Sequence, residues 1–417
     1  MHYYSTNRNS DDVSFRKATV NGIAEDGGVY VPADIPVVPE AFFRNMPAMG
    51  LKDIAYVVMN TLIGDDINSG YIKEIISEAL NYDIPVLRLG NSDIFSAELF
   101  HGSTGSSKDL GARFMARIFQ QFFSDNTDSE VIVLASVTSE SGVAIADALC
   151  GVEPFRVLVV FPKGKLSSAS KEKIFSLGQN IRPVEVRGSV DDCLAMIQAA
   201  MSDSQLRENI RLTSANSINI ARLLPTVIQY FWIWSQMVIA GVDPNQIVIS
   251  VPCANLGSFA AALIAVKMGL PLKRIIAAST VNNAFVEYLQ TGRYNPADHK
   301  DTLAPCLDIM QPLNFPRVID LLKGLGTEVV GCAVSDNDIV RTAASLSESY
   351  GYSADPHTCV SAAALIKKLS DGESGAFLAT LSPDELLCHN TSQQIRHESI
   401  SPTYQALKRI IDPIHTY

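Results

Sequence analysis

From about residue 96 onward, short apolar runs alternate with segments of helical period. The runs VIVLAS (131–136), RVLVVFP (156–162) and RPVEV (182–186) are rich in Val, Ile and Leu and show no clean in–out alternation. Such runs form strands buried on both faces. Between and around them, apolar residues recur at helical spacing near 109–124, from Ser141 to about Cys150, near 168–177 and near 190–202. AELF (97–100) reads as a short leading strand. A long apolar stretch at 220–240 predicts one helix. The pattern then resumes with strands QIVISVP (246–252), RIIAAS (274–279), EVVGCAV (328–334) and AFLATL (376–381). Helices are predicted at 256–269, 284–291, 315–324, 336–350 and 358–369. Strands and helices in turn make parallel sheets covered by helices. Two successive series predict an α/β fold of two parallel-sheet domains with a cleft between them. Ahead of residue 95 the pattern is mixed: a turn at Asp26-Gly27-Gly28 runs into an extended segment, and helical patterns follow at 51–62 and 70–80.

Charge and composition narrow the function classes. The 417 residues carry a formal charge of −11 and no basic stripe, which argues against a nucleic-acid surface. An anionic ligand would therefore need local positive contacts. The seven cysteines are scattered, odd in number and without a C-x-x-C pair, as expected of reduced thiols in a cytoplasmic protein. The histidines lack H-x-x-x-H spacing, so no metal site is expected. The most apolar stretch, 226–242, is short for a bilayer and is interrupted by Gln229, Ser235 and Gln236, which favours a buried helix over a membrane span. MHYYSTNRNS at the start does not read as a signal peptide.

Candidate chemistry lies in loops at the carboxyl ends of predicted strands, where open α/β sheets bind ligands. In VPCANLGSFAAALIAVKMG (251–269), Asn255, Leu256, Gly257 and Ser258 separate a strand from an Ala-rich helix. Backbone N–H groups at such a helix start can cradle a phosphate. An ordinary strand-to-helix turn capped by Asn or Ser reads the same way. In LASVTSESGVAIADAL (134–149), Thr138, Ser139, Glu140 and Ser141 offer hydroxyl and N–H groups for a carboxylate, or a simple cap. In LFHGSTGSSKDLGARFMARIF (99–119), Lys108 follows a Gly/Ser/Thr loop, expected to be pliable, and precedes a helix. An amine there becomes nucleophilic through desolvation or the positive potential of a helix start. A carbonyl-binding lysine together with a phosphate cradle points to pyridoxal phosphate.

Taken together, these stretches resemble threonine synthases, pyridoxal-phosphate enzymes of the tryptophan synthase β-like fold. The likeness runs nearly end to end, through SFRKATVNGIAEDGGVYVP (14–32), LFHGSTGSSKDLGARFMA (99–116), NSINIARLLP (216–225), LDIMQPLNFPRVIDLL (307–322) and DPHTCVSAAAL (355–365). The resemblance implies that Lys108 is the Schiff-base lysine and proton carrier, that Asn255, Leu256, Gly257 and Ser258 bind the cofactor phosphate, and that Thr380 faces the pyridine nitrogen. It implies substrate contacts at Thr138, Ser139, Glu140, Ser141, Arg113, Asn216 and Arg222. The implied domains are an N-terminal region (1–95), a large cofactor-binding domain (96–125 with 205–417) and a smaller α/β domain (126–204). The implied reaction takes O-phospho-L-homoserine and water to L-threonine and phosphate.

The active-site loops depart from the family pattern. H-G-P-T-L-A-F-K-D reads HGSTGSSKD, with Ser107 in place of Phe; S-G-D-T-G reads TSESG (138–142); G-N-F-G-N reads ANLGS (254–258). T-A-H-P-A-K-F reads TLSPDEL (380–386), and the opening S-T-R-G reads STNR (5–8), which shifts or removes an arginine. Positive charge is thus lost from a site for a phosphorylated substrate, with Arg113, Arg222, Lys163 and Lys165 available to replace it. Two other readings fit these changes: a diverged lyase acting on another amino acid, and a catalytically inactive relative with a binding role.

Overall fold

A computed structural model describes residues 1–123, 130–136, 140–383 and 398–412. Its strands are β1 (His2–Ser5), β2 (Val13–Ser14), β3 (Tyr30–Pro32), β4 (Val86–Arg88), β5 (Ile94–Glu98), β6 (Val131–Ser136), β7 (Phe155–Pro162), β8 (Ile181–Val186), β9 (Arg211–Ser214), β10 (Ile247–Pro252), β11 (Arg274–Ser279), β12 (Glu328–Ala333), β13 (Ser374–Ala379) and β14 (Glu398–Ile400). The chain divides into two compact units. The first takes Met1–Asp34, Lys108–Arg222 and the described residues from Glu398 on; the second takes Ile35–Ser107 and the described residues from Leu223 to Pro383.

The first unit contains a small antiparallel sheet, β2-β1-β3, and a parallel sheet in the order β14-β8-β7-β6-β9. Successive side chains on a strand point to opposite faces, so Ile132 and Leu134, Leu158 and Val160, and Val184 and Val186 share one face. They pack on Cys193, Met196, Ile197 and Ala200 of the helix Val190–Ser202 and on Leu407 and Ile411 of the helix Tyr404–Ile411. Ser189 and Asp192 close a capping box that starts the first of these helices. Lys408, 2.6 Å from Asp203, ties down the second.

The second unit is built on a six-stranded sheet, β12-β11-β10-β13-β5-β4, parallel throughout except for β4 at its edge. Val248, Ile276, Ala278, Phe377 and Ala379 form the buried face beneath the helix Pro356–Lys368. Asp355 caps that helix by accepting N–H bonds from His357 and Thr358. No helix among the described residues is long and apolar enough to cross a membrane.

Three features differ from the sequence reading. The stretch expected as one helix at 220–240 is a turn of helix at Ile220–Leu223, a 3-10 turn at Leu224–Thr226 and a helix at Val227–Ile239. Pro225 has no N–H to donate, and the chain restarts beyond it. The parallel sheet of the first unit reaches outside the span 126–204, because β9 pairs with β6 and β14 with β8. The helix Asp109–Phe123 falls in the first unit, whereas the expected boundary at 125 assigned it to the large domain. At the N-terminus, Arg8 adopts a left-handed φ of +59°, and its guanidinium lies 3.4 Å from the centroid of the Tyr4 ring.

Candidate functional site

In the first unit the candidate residues gather where β6 and β9 end. Backbone pairing carries one residue past β9, with Ala215 N–H donating to Leu134 O at 2.9 Å. Next comes Asn216, whose Oδ1 accepts the Ser136 N–H at 2.9 Å and whose own N–H donates to Ser214 Oγ at 3.2 Å. These contacts fix which way the amide faces. Its Nδ2 is buried without a hydrogen-bond partner among the described residues, as is Ser136 Oγ. Asn219 braces the loop: its Nδ2 donates to Thr19 O and Ser214 O, and its Oδ1 accepts from Ala221 N–H.

Arg222 closes this loop with a hydrogen bond from Nη1 to Ala215 O, 2.8 Å away. Only 6% of it is exposed, and burial lowers its pKa to about 10. No carboxylate among the described residues forms an ion pair with it. A buried cation without a carboxylate partner, beside a buried amide N–H₂ and a buried hydroxyl that find no hydrogen bond among the described residues, makes a site suited to an anion. Ser136 escaped the sequence reading; its signal was a polar residue ending an otherwise apolar strand at the carboxyl edge of a sheet.

Lys108 immediately precedes the helix Asp109–Phe123, as its motif predicts. Its side chain is exposed, so burial does not supply the expected desolvation. The helix start does supply positive potential. One turn along, Gly111 rests against Arg222: a Cβ added there would lie 2.7 Å from the Arg222 carbonyl oxygen. In most helix interiors Gly→Ala stabilises by up to about 1 kcal/mol. Here the sign reverses, and G111A is expected to destabilise by about 1–3 kcal/mol as the helix moves off the loop. Urea midpoints at constant m-value measure this.

Arg113 is half-buried on the same helix, and Lys163 and Lys165 are exposed beyond β7. Of the four basic candidates, Arg222 is the one fully enclosed. Glu140 and Ser141 open the helix Glu140–Leu149, while Thr138 and Ser139 lie outside the described residues.

In the second unit, β10 runs into Cys253-Ala254-Asn255 and then into the helix Gly257–Lys267. Leu256 occupies the N-cap position in a left-handed conformation, φ +57°, with no side-chain cap on the helix. The first N–H groups are thus left for a ligand. Asn255 Oδ1 accepts the Leu313 N–H, and Asn255 O accepts Asn314 Nδ2 at 2.8 Å. Tyr230 Oη donates to Ser258 O at 2.7 Å and lies 2.8 Å from Ser258 Oγ. With the tyrosine proton on the carbonyl, the serine hydroxyl donates back to Tyr230, and Ser258 offers an anion its backbone N–H. Burial pushes the Tyr230 pKa up, which keeps it a neutral donor.

The Gly/Ser loop ahead of Lys108, expected to be pliable, is stitched down. Ser107 N–H donates to Thr380 O at 2.8 Å, Ser382 N–H donates to Gly105 O at 2.9 Å, and Ser106 bridges Leu381. Thr380 N–H in turn donates to Thr358 Oγ1, 3.2 Å away. Thr358 Oγ1 itself donates to Asp355. The uncapped helix start and the left-handed turn before it fit a phosphate monoester, which is how pyridoxal phosphate would be held.

Comparison with known proteins agrees with this chemistry. The family model "Pyridoxal-phosphate dependent enzyme" matches residues 82–382, and "Threonine synthase N terminus" matches residues 2–80. The threonine synthase of Escherichia coli K12 is 34% identical over 390 residues, 92% of this chain and 89% of that protein. The Haemophilus influenzae threonine synthase is 32% identical, covering 92% of this chain and 89% of that protein. The crystal structure of the E. coli protein superposes with a TM-score of 0.92 at 31% identity, covering 99% of this chain and 100% of that one. A pyridoxal-phosphate-bound threonine synthase from Brucella melitensis shares the fold, with a TM-score of 0.85 at 22% identity and full coverage of both chains.

Proposed function

The chain belongs to the threonine synthase family of pyridoxal-phosphate-dependent enzymes, and we propose that it converts O-phospho-L-homoserine and water into L-threonine and phosphate in the cytoplasm. When bound, the cofactor supplies an electron sink for negative charge that develops beside the amino group of the substrate. In this reading, Lys108 holds the cofactor's aldehyde carbon through its amine and then moves the proton at the substrate Cα. The N–H groups at the start of the helix Gly257–Lys267 grip the cofactor phosphate, and Asn255 and Leu256 set that turn. Thr380 presents its hydroxyl to the pyridine nitrogen. A neutral hydroxyl there suits elimination and replacement chemistry better than a carboxylate would.

The substrate's phosphate would occupy the loop of Asn216 and Arg222, with Ser136 and the segment 138–141 beside it. The enclosed Arg222, lacking a carboxylate partner, carries this assignment. In the balanced reaction the Cγ–O bond to phosphate breaks, the oxygen of water bonds to Cβ, and Cγ ends as a methyl group. Arg222 lowers the energy of the leaving dianion, an interaction between ionised groups worth about 1.5–3 kcal/mol.

Release of inorganic phosphate from O-phospho-L-homoserine, matched one for one by L-threonine, is the expected result with purified, cofactor-loaded protein. Cofactor bound at Lys108 with no phosphate released would overturn the substrate assignment. It would favour the diverged-lyase reading, which the altered loops support.

A further inference from the structure

Asn314 and Arg317 lie in the stretch LDIMQPLNFPRVIDLL, to which the reaction above gives no role. Both are completely buried, and Arg317 is one of the largest fully enclosed side chains among the described residues. Asn314 stands at the N-cap of the helix Phe315–Leu322, where an asparagine side chain ordinarily accepts an N–H of the first turn. It makes no such bond. Instead Nδ2 donates to Asn255 O at 2.8 Å, and Oδ1 accepts from Arg317 Nη1. The preceding residue, Leu313, gives its N–H to Asn255 Oδ1. A capping interaction worth about 1 kcal/mol is thus forgone so that one residue is gripped at two points.

That residue precedes Leu256, whose left-handed backbone is unfavourable for a branched side chain and persists only where the surroundings over-determine it. Aromatic packing fixes the same elements from the other side. Phe315 packs edge-on to Phe285, and Phe285 packs edge-on to Phe259 in the helix Gly257–Lys267.

We propose that Asn314 and Arg317 are positioning residues for the phosphate-binding turn. Asn314 holds Asn255, and with it the left-handed turn at Leu256 that aims the helix N–H groups at the cofactor phosphate. The guanidinium of Arg317, always a cation, fixes the orientation of the Asn314 amide. This rests on the assignment of residues 255–258 as the cofactor-phosphate site.

The test compares two ligands on cofactor-stripped protein: pyridoxal 5'-phosphate and pyridoxal, which lacks the phosphate. Dissociation constants come from the visible absorption band of each. In N314L, affinity for pyridoxal 5'-phosphate is expected to fall about tenfold to a hundredfold. Affinity for pyridoxal is expected to stay at its wild-type value, and inorganic phosphate is expected to lose its ability to compete with the phosphorylated cofactor. R317K, which keeps the charge, is expected to recover part of the loss seen in R317M.

Equal weakening toward both ligands would make the pair merely structural and overturn the proposal, as would wild-type affinity for both. If N314L does not fold, N314D, which keeps an acceptor for Arg317 but loses the donor to Asn255, decides by the same ratio. A wild-type protein whose affinities for the two ligands are equal would instead overturn the phosphate-site assignment beneath the proposal.

Discussion

K108A is expected to show no visible absorption band with pyridoxal 5'-phosphate and to form threonine at least about a thousandfold more slowly than the wild type. The size follows from what the amine does. In the proposed reaction it bonds the cofactor's carbonyl carbon, and positioned proton transfer alone contributes about 10²–10⁴-fold. K108R separates charge from chemistry, because a guanidinium keeps the cation at the helix start but does not condense with an aldehyde at neutral pH. It is therefore expected to match K108A. Borohydride reduction of the wild-type holoprotein, followed by peptide mapping, should place the label on Lys108. A band that survives in K108A, or a label elsewhere, would move the cofactor site. Absence of any band from the wild type would favour the inactive-relative reading.

The parts of the fold that could be read from sequence are those in which local pattern and tertiary context agree. The strand 131–136 and the helices 168–177, 190–202 and 336–350 come out with the bounds expected from their periodicity. Arg211–Ser214 was missed because it is four residues long, contains one large apolar residue, Leu212, and lies at the edge of its sheet. Its strand character comes from pairing with β6, which is remote in sequence. The rigidity of the loop before Lys108 was hidden for the same reason, since its partners are Thr380 to Ser382.

The candidate site divides in the same way. Lys108 and residues 255–258 announce themselves through motif and local propensity. The choice among Arg113, Arg222, Lys163 and Lys165 does not, because it depends on which cation is enclosed and lacks a counter-charge. Asn314 carries no signal of its own in the sequence, and only its contacts with Asn255 and Arg317 set it apart.

R222M is expected to be more stable than the wild type and much poorer at using a phosphorylated substrate. Both effects have one cause. Burial holds the Arg222 pKa at about 10, well below the ordinary value of a guanidinium. Between those two values the unfolded chain binds the proton that the folded chain releases, so the penalty is fully present below about pH 10 and fades as pH rises toward the unfolded value. At neutral pH enclosing this charge therefore costs on the order of 3 kcal/mol. Methionine removes the charge at similar length, and the expected net gain is about 1–2 kcal/mol after loss of the bond to Ala215 O. An anion in the loop offsets the same penalty, so with the cofactor site filled, inorganic phosphate should raise the melting temperature of the wild-type holoprotein and leave that of the R222M holoprotein unmoved. Loss of the charge-assisted contacts should lower kcat/KM for O-phospho-L-homoserine by about tenfold to a hundredfold, mostly through KM, while the visible band of bound cofactor is unchanged. If R222M kept the wild-type KM and its melting temperature still rose with phosphate, the anion would have to be held elsewhere. The buried guanidinium would then be a structural cation, enclosed at a cost that nothing in the reaction recovers.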